Sequence, residues 1–461
     1  MISTLILGIV VFCYLYLPPQ IGLADSADFS RIFSRLGIER LDRGDHDQFF
    51  NFFNSDYKVV KSPKVPVNIG QVAGLFSLWI NNIFQPKPRY SIFYLSVIYF
   101  LLYLTGYFLL LRNLFKFLGD KILSKIIIGG ISIFIFSDIF FVSYFNSFYQ
   151  EALFLVAGVF VIAFAIKQKI NYNFLIIALI VLGLSKPQNI IFLLFPIYLI
   201  FFRFKQLNKV ILACSITLLS FFLFFILKEQ KQTNKPNLYE AFFLGVLHQA
   251  EPLEQREIIV YLNLREVGYL KNVNQFYWRP SNDFRNEKSD IYKEFYSNID
   301  QMKIIQIYLL RPHLLIRNLN SGIKILRNNI SQPEHLGNYS KRDSVRNRAT
   351  VVQSFWGKYL NNLILPIYSL GFVSLIISSN RKNINRPAQA ILILLITIPV
   401  IFSANIVAGG INDFVKHNFS VYFMISLLFI LSLIQLGDFL SGNSQLFSSF
   451  STMRSFLKRL N

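Results

Sequence analysis

Long apolar runs separated by short polar turns dominate this chain. Stretches apolar enough to cross roughly 30 Å of hydrocarbon lie near 2–18, 90–111, 126–144, 152–166, 174–185, 190–202, 210–227, 361–379, 388–404 and 418–436. The pattern predicts an all-α polytopic membrane protein of about ten transmembrane helices. Two polar intervals are too long to be turns: 19–89 after the first span and 228–360 after the seventh. The organisation expected is helices one to seven over 1–227, with the first loop 19–89 inside that range. A large loop or cap over 228–360 follows, then helices eight to ten over 361–436, and a basic tail over 437–461. Helical spacing recurs inside the cap, over 251–270 and 287–328.

Lys and Arg in short loops set the orientation. The loops 112–125, 167–173, 203–209 and 380–387, with the tail, hold 15 of them, whereas 145–151, 186–189 and 405–417 hold only Lys186 and Lys416. The first set is therefore expected in the cytoplasm, with both termini. Both long loops fall outside, where their charge does not count against the assignment. Of 25 Asp and Glu, only Asp120 and Asp438 then fall on the cytoplasmic side. Any chemistry is expected at the outer face.

Composition agrees. Charged residues make up 15% of the chain, against about 25% in soluble domains, and the mean hydropathy is +0.44. The net charge of +21 is dispersed at the ends of apolar segments, which suits anionic lipid headgroups rather than nucleic acid. Cys13 and Cys214 both fall within predicted spans, so no disulfide framework is expected. No Lys or Arg precedes the first apolar stretch, which reads as a retained helix and not a cleaved signal.

Candidate chemistry gathers in the outer segments. Phe29, Ile32, Phe33 and Leu36 recur at helical spacing beside Arg31 and Arg35, as in a short amphipathic helix lying at the membrane interface. Asp25 and Asp28 precede it, three apart, so a helical turn would point both carboxylates to one side. Desolvation at the bilayer edge would raise a carboxyl pKa toward use as a base; capping the helix by Asp25 or Ser26 is the structural alternative. Asp42, Asp45, His46 and Asp47 offer hard ligands for a divalent cation. Glu151 is the one charged residue between Ile139 and Ile166, placed either for function or to cap the following helix. Lys186 is a lone cation in an outer turn, facing a substrate or snorkelling to headgroups. The last outer turn sets Gly409 and Gly410 near Asp413, Lys416 and His417.

With a long loop after helix one opened by Asp25 and Asp28, Glu151 in the second outer loop, and another long loop after helix seven, the chain resembles the GT-C superfamily of integral membrane glycosyltransferases, particularly bacterial surface-glycan hexosyltransferases. The resemblance implies transfer of a sugar from a polyprenyl-phosphate donor to a glycan, lipid or protein acceptor outside a bacterial plasma membrane. It implies Asp25 or Asp28 as general base, Glu151 as a positioning group, and Lys186, Lys416 and His417 toward the donor phosphate. The second loop departs from metal-dependent members in lacking an Asp-x-Asp or Glu-Asp pair, which leaves the need for Mg or Mn open. A polymerase or ligase of lipid-linked glycans would look much alike. A transporter would show internal repeats and midplane ionisable groups, of which only Asp138 qualifies. A non-catalytic scaffold would tolerate loss of every acid named.

Overall fold

The computed structural model describes residues 1–18, 20–25, 28–41, 53–85, 88–167, 169–195, 235–277, 279, 282–329, 336–337, 345–379, 385–411 and 414–442. The chain is predominantly helical and divides its core in two. One apolar cluster joins the membrane helices to the first loop, and a second lies within residues 238–314.

The membrane part contains α1 (Ile2–Tyr16), α4 (Phe93–Phe117), α5 (Ile122–Phe136), α6 (Ile139–Val142), α7 (Glu151–Ala165), α8 (Tyr172–Leu184), α16 (Val345–Ser379), α17 (Arg386–Gly409), the short α18 (Phe414–His417) and α19 (Phe419–Gly442). Among the described residues, α4, α17 and α19 are long and apolar enough to cross a bilayer. α5 and the segment Ile139–Asn146 make a fourth span if taken together, bent by 47°. Asp138 sits at that bend, and its side chain accepts the Phe140 amide at 2.7 Å. This is fewer than the ten predicted. α1, α7 and α8 occupy predicted spans, but a 15-residue helix reaches only about 22 Å, short of the hydrocarbon thickness. The predicted span 210–227 and most of 190–202 lie outside the described residues.

The first loop folds onto the bundle instead of trailing from it. β1 (Gly22–Leu23) is followed by α2 (Ser30–Leu36), β2 (Ile38–Arg40), β3 (Asp56–Val59), α3 (Ile69–Phe84) and β4 (Arg89–Ser91). β2, β3 and β4 form an antiparallel sheet with Ile38 opposite Val59 and Tyr57 opposite Tyr90. The helix expected at 29–36 is present, but its apolar residues Ile32, Phe33 and Leu36 are buried against protein. Gly70 and Gly74 of α3 lie so close to Ile32 and Leu36 that a Cβ at either would overlap them. The interfacial placement is therefore corrected: neighbouring loop residues, not lipid, take up that apolar face.

The cap is a helical unit. It runs through α9 (Lys235–Glu240), a π-helical turn (Ala241–Val246), α10 (Leu247–Gln249), α11 (Pro252–Tyr261), α12 (Glu266–Leu270), α13 (Asp290–Asn298), α14 (Gln301–Leu310) and α15 (Pro312–Asn329). Proline opens α11 and α15 where its missing amide costs nothing. The cap docks on the C-terminal end of α17. Gln301 Nε2 donates to the Val407 carbonyl at 2.7 Å, and Gly322 lies against Phe402, Ile406 and Phe414. β5 (Leu336–Gly337) then returns to pair antiparallel with β1, Gly22 opposite Gly337.

Candidate functional site: a paired-charge cluster at the end of the bundle

The turn between α6 and α7 is the floor of the site. Asn146 Nδ2 donates to the carbonyls of Leu15 (3.0 Å) and Ile21 (2.7 Å), fixing the chain as it leaves α1. A Cβ at Gly22 would strike the Phe53 ring and Asn146, so only glycine fits that approach. Tyr149 Oη donates to the Ala24 carbonyl at 3.0 Å, and its ring meets Phe29 edge-on at 4.7 Å. These contacts deliver Asp25 and Asp28 to the end of the bundle at the turn between α6 and α7.

The two acids do not share one face. Asp25 is buried; its Oδ1 accepts the Phe29 amide at 3.2 Å and its Oδ2 pairs with Arg40, whose Nε lies at 3.1 Å. That arrangement opens α2 and anchors β2. Asp28 instead pairs through Oδ2 with Lys416 and through Oδ1 with Arg31 at 3.1 Å. Burial alone would raise the Asp28 carboxyl, but the Lys416 and Arg31 cations outweigh it and hold the group below the ordinary carboxylate range. The upward shift expected from desolvation is thus reversed, because the burial comes with cations attached.

Glu151 opens α7, is 1% exposed, and pairs through Oε1 with Lys186. Its Oε2 is buried and has no hydrogen-bond partner among the described residues. Burial, then the Lys416 charge, lowers the Lys186 pKa, against the pull of Glu151. Lys416 shifts the other way. Its burial is overcome by Asp28, Tyr149 and Glu151, and its ammonium lies 4.9 Å from the centre of the Tyr149 ring. Burial, followed by the Lys186 and Lys416 charges, pushes His417 down to about 3. His417 is therefore a neutral ring, and the positive charge expected of it falls to the two lysines.

Asp28, Glu151, Lys186, Lys416 and His417 thus belong to one mutually interacting group, with Asp25 behind it. Arg40 and the Tyr149 ring are members the sequence did not single out. Asp42, Asp45, His46 and Asp47 lie outside the described residues. Among the described residues no group of three or more His, Cys, Asp and Glu converges. Below the cluster, an apolar groove of about 720 Å³ runs between α7, α8, α17 and α19, lined by residues including Phe154, Leu182, Phe192, Ile393 and Phe423. Phe154 is one helical turn from Glu151, while Arg386 marks the far end.

An arrangement of this kind can bind an amphiphile whose anionic head exchanges with the carboxylates for the lysines. No curated protein and no solved structure matches the chain. The family described as YfdI N-terminal transmembrane domain matches residues 1–444, and this chain, an integral membrane protein, belongs to that family.

Proposed function

We propose that the chain is a membrane glycosyltransferase that moves a sugar, a hexose, from a polyprenyl-phosphate donor to a hydroxyl of an extracytoplasmic glycan, lipid or protein. The observation that carries this reading is the Asp28–Lys416 and Glu151–Lys186 pairs together with an apolar groove whose wall begins, at Phe154, one helical turn from Glu151. A lipid-linked donor needs both a polar head site and an apolar wall next to it. The reading keeps the ten-span GT-C architecture, and takes from the loop charges an outward-facing cluster with both termini in the cytoplasm of a bacterial cell.

In this reading the acceptor oxygen attacks C1 of the sugar, the C1–O bond to phosphate breaks, and the electron pair leaves on the phosphate. Asp28 accepts the acceptor's proton. With no donor bound, Lys416 keeps Asp28 ionised but weakly basic. An arriving phosphate draws Lys416 and Lys186 toward itself, and the proton affinity of Asp28 rises as its cation is shared. The same lysines then face the charge that grows on the leaving phosphate, beside lipid where water cannot stabilise it. Glu151 holds Lys186 in place, and Asp25 holds α2. Each of the three carboxylates already faces a protein cation, a poor fit to a divalent ion, and no step is routed through one.

The test is transfer by purified protein from a panel of polyprenyl-phosphate sugars to a hydroxyl acceptor. Turnover with a monophosphate donor supports the reading. Turnover only with pyrophosphate-linked oligosaccharides would replace it with a polymerase or ligase.

A further inference from the structure

α3 is built inside out for a helix in water. Its buried stripe is polar or small: Gly70, Gln71, Gly74, Ser77 and Asn81, with Leu78 the one large apolar member. Its exposed stripe is Val72, Phe76, Trp79 and Ile83, spaced four, three and four apart and 43–60% exposed. A helix on a soluble surface buries the second set and presents the first.

The polar stripe is fully employed. Gln71 Oε1 accepts the Val67 amide at 2.6 Å and its Nε2 donates to the Arg31 carbonyl at 2.8 Å. Asn81 bridges the Arg89 carbonyl and the Ser91 amide, and Ser77 bonds the Tyr90 hydroxyl at 2.8 Å. The protein-facing side of α3 is thus a bracket of hydrogen bonds, and its apolar side needs a non-aqueous neighbour.

We infer that the Val72, Phe76, Trp79 and Ile83 face of α3 lies in lipid at the edge of the bilayer, as an in-plane helix that carries α2 and Asp28. Continuity favours lipid over a second protein surface. The Phe84 ring stacks on Tyr94 of the span α4 at 6.3 Å, and α4 exposes Val97, Leu101 and Leu102 on its own outer surface. Polarity sets the attitude: one side of α3 is polar or small along its length, from Gly70 and Gln71 to Asn81, as in a helix lying along the interface and not one crossing it. Exposed Lys61 and Lys64 precede it and exposed Arg89 follows, as cations do at headgroup level. Trp79 in the middle of the face is the residue type that settles at this depth. Because the Arg31 carbonyl is bonded to Gln71, and Ile32 and Leu36 sit in the Gly70 and Gly74 notches, α3 fixes the height of α2 over the membrane. This inference stands whether or not the chain transfers sugar.

The chain has three tryptophans, at 79, 278 and 356, so Trp278→Phe with Trp356→Phe leaves Trp79 as sole reporter. The full chain is placed in nanodiscs of phosphatidylcholine brominated either near the acyl carbonyls or near the chain ends, or left unbrominated and titrated with acrylamide. The expected result is loss of Trp79 emission with bromines near the carbonyls, less with bromines at the chain ends, and little with acrylamide. Strong acrylamide quenching without bromolipid quenching would overturn the inference. So would protection from both quenchers, the mark of a protein cover, or strongest quenching from the chain ends, the mark of a crossing helix. If the tryptophan variant does not fold, a nitroxide at Ile83→Cys, with Cys13 and Cys214 replaced by Ser, reads the same question. Greater collision with oxygen than with a water-soluble nickel chelate supports a lipid face, and the reverse overturns it.

Discussion

Lys416 reaches across 388 positions of sequence to seat its ammonium between the Asp28 carboxylate and the Tyr149 ring. That contact joins the turn before α19 to the first loop through the turn that opens α7. It makes the cluster a product of three distant segments, and each can be tested separately.

Asp28 and Asp25 should respond differently to the same substitution. Asp28→Asn removes proton acceptance and the resting partner of Lys416, so transfer should fall roughly 100-fold or more with expression intact. Asp25→Asn removes the charge from the buried Asp25–Arg40 pair and should lower thermal stability, while activity per folded molecule changes less. Rates and melting curves on both variants separate a reacting group from a structural one.

The Glu151–Lys186 pair is buried, so breaking it from one side should cost more than removing it whole. Lys186→Met or Glu151→Met alone strands a buried charge, at about 3–5 kcal/mol. The double substitution should recover much of that loss. A double-mutant cycle by chemical or thermal unfolding in micelles measures the coupling; additive single effects would mean the two side chains do not meet.

His417 gives a signature in acid. Its folded value of about 3 lies below the ordinary 6.5, so between those values the unfolded chain binds a proton that the folded chain refuses. Stability should therefore fall as pH drops from about 6.5 toward about 4. His417→Asn should flatten that slope in melting temperatures recorded across the range.

Gly410 has φ +65, and a Cβ there would lie 2.8 Å from the Glu240 carbonyl and 3.1 Å from the Gly245 nitrogen. Gly410→Ala should cost about 1–3 kcal/mol and loosen the turn that presents Lys416. Gly409→Ala, whose added carbon would come no closer than 3.7 Å to His417, is the control and should change stability much less. Melting temperatures of the two decide it.

The site was legible in sequence because isolated charges in apolar surroundings are few. Glu151 and Lys186 stand out by that criterion alone, and the structure pairs them. The Asp25–Arg40 bond was not legible, since it depends on how a loop turns back between α2 and β2. Nor was α3: its Gln71, Ser77 and Asn81 interrupt the apolar run as they would on a solvated helix, and only the structure shows that they face inward. The Asp28 carboxyl shifts against the sequence expectation for a related reason. Proximity to the bilayer edge could be read from the sequence, whereas the arrival of Lys416 from the far end of the chain could not. Helix length was not legible either, because an apolar run does not reveal that a helix such as α7 stops after 15 residues.

The two-residue clasp between β1 and β5 bears on how the molecule is made. Gly22 and Leu23 emerge early in synthesis, but their partners Leu336 and Gly337 follow only after the whole cap, and Lys416 later still. Contacts of such long sequence separation form slowly, since loop closure must precede them. The nascent chain therefore exposes an unpaired strand edge, and an Asp28 carboxylate faced by Arg31 alone, until its C-terminal helices have been inserted. Release of a prematurely terminated chain would leave both open, a ready-made mark by which membrane quality control could tell an unfinished copy from a finished one.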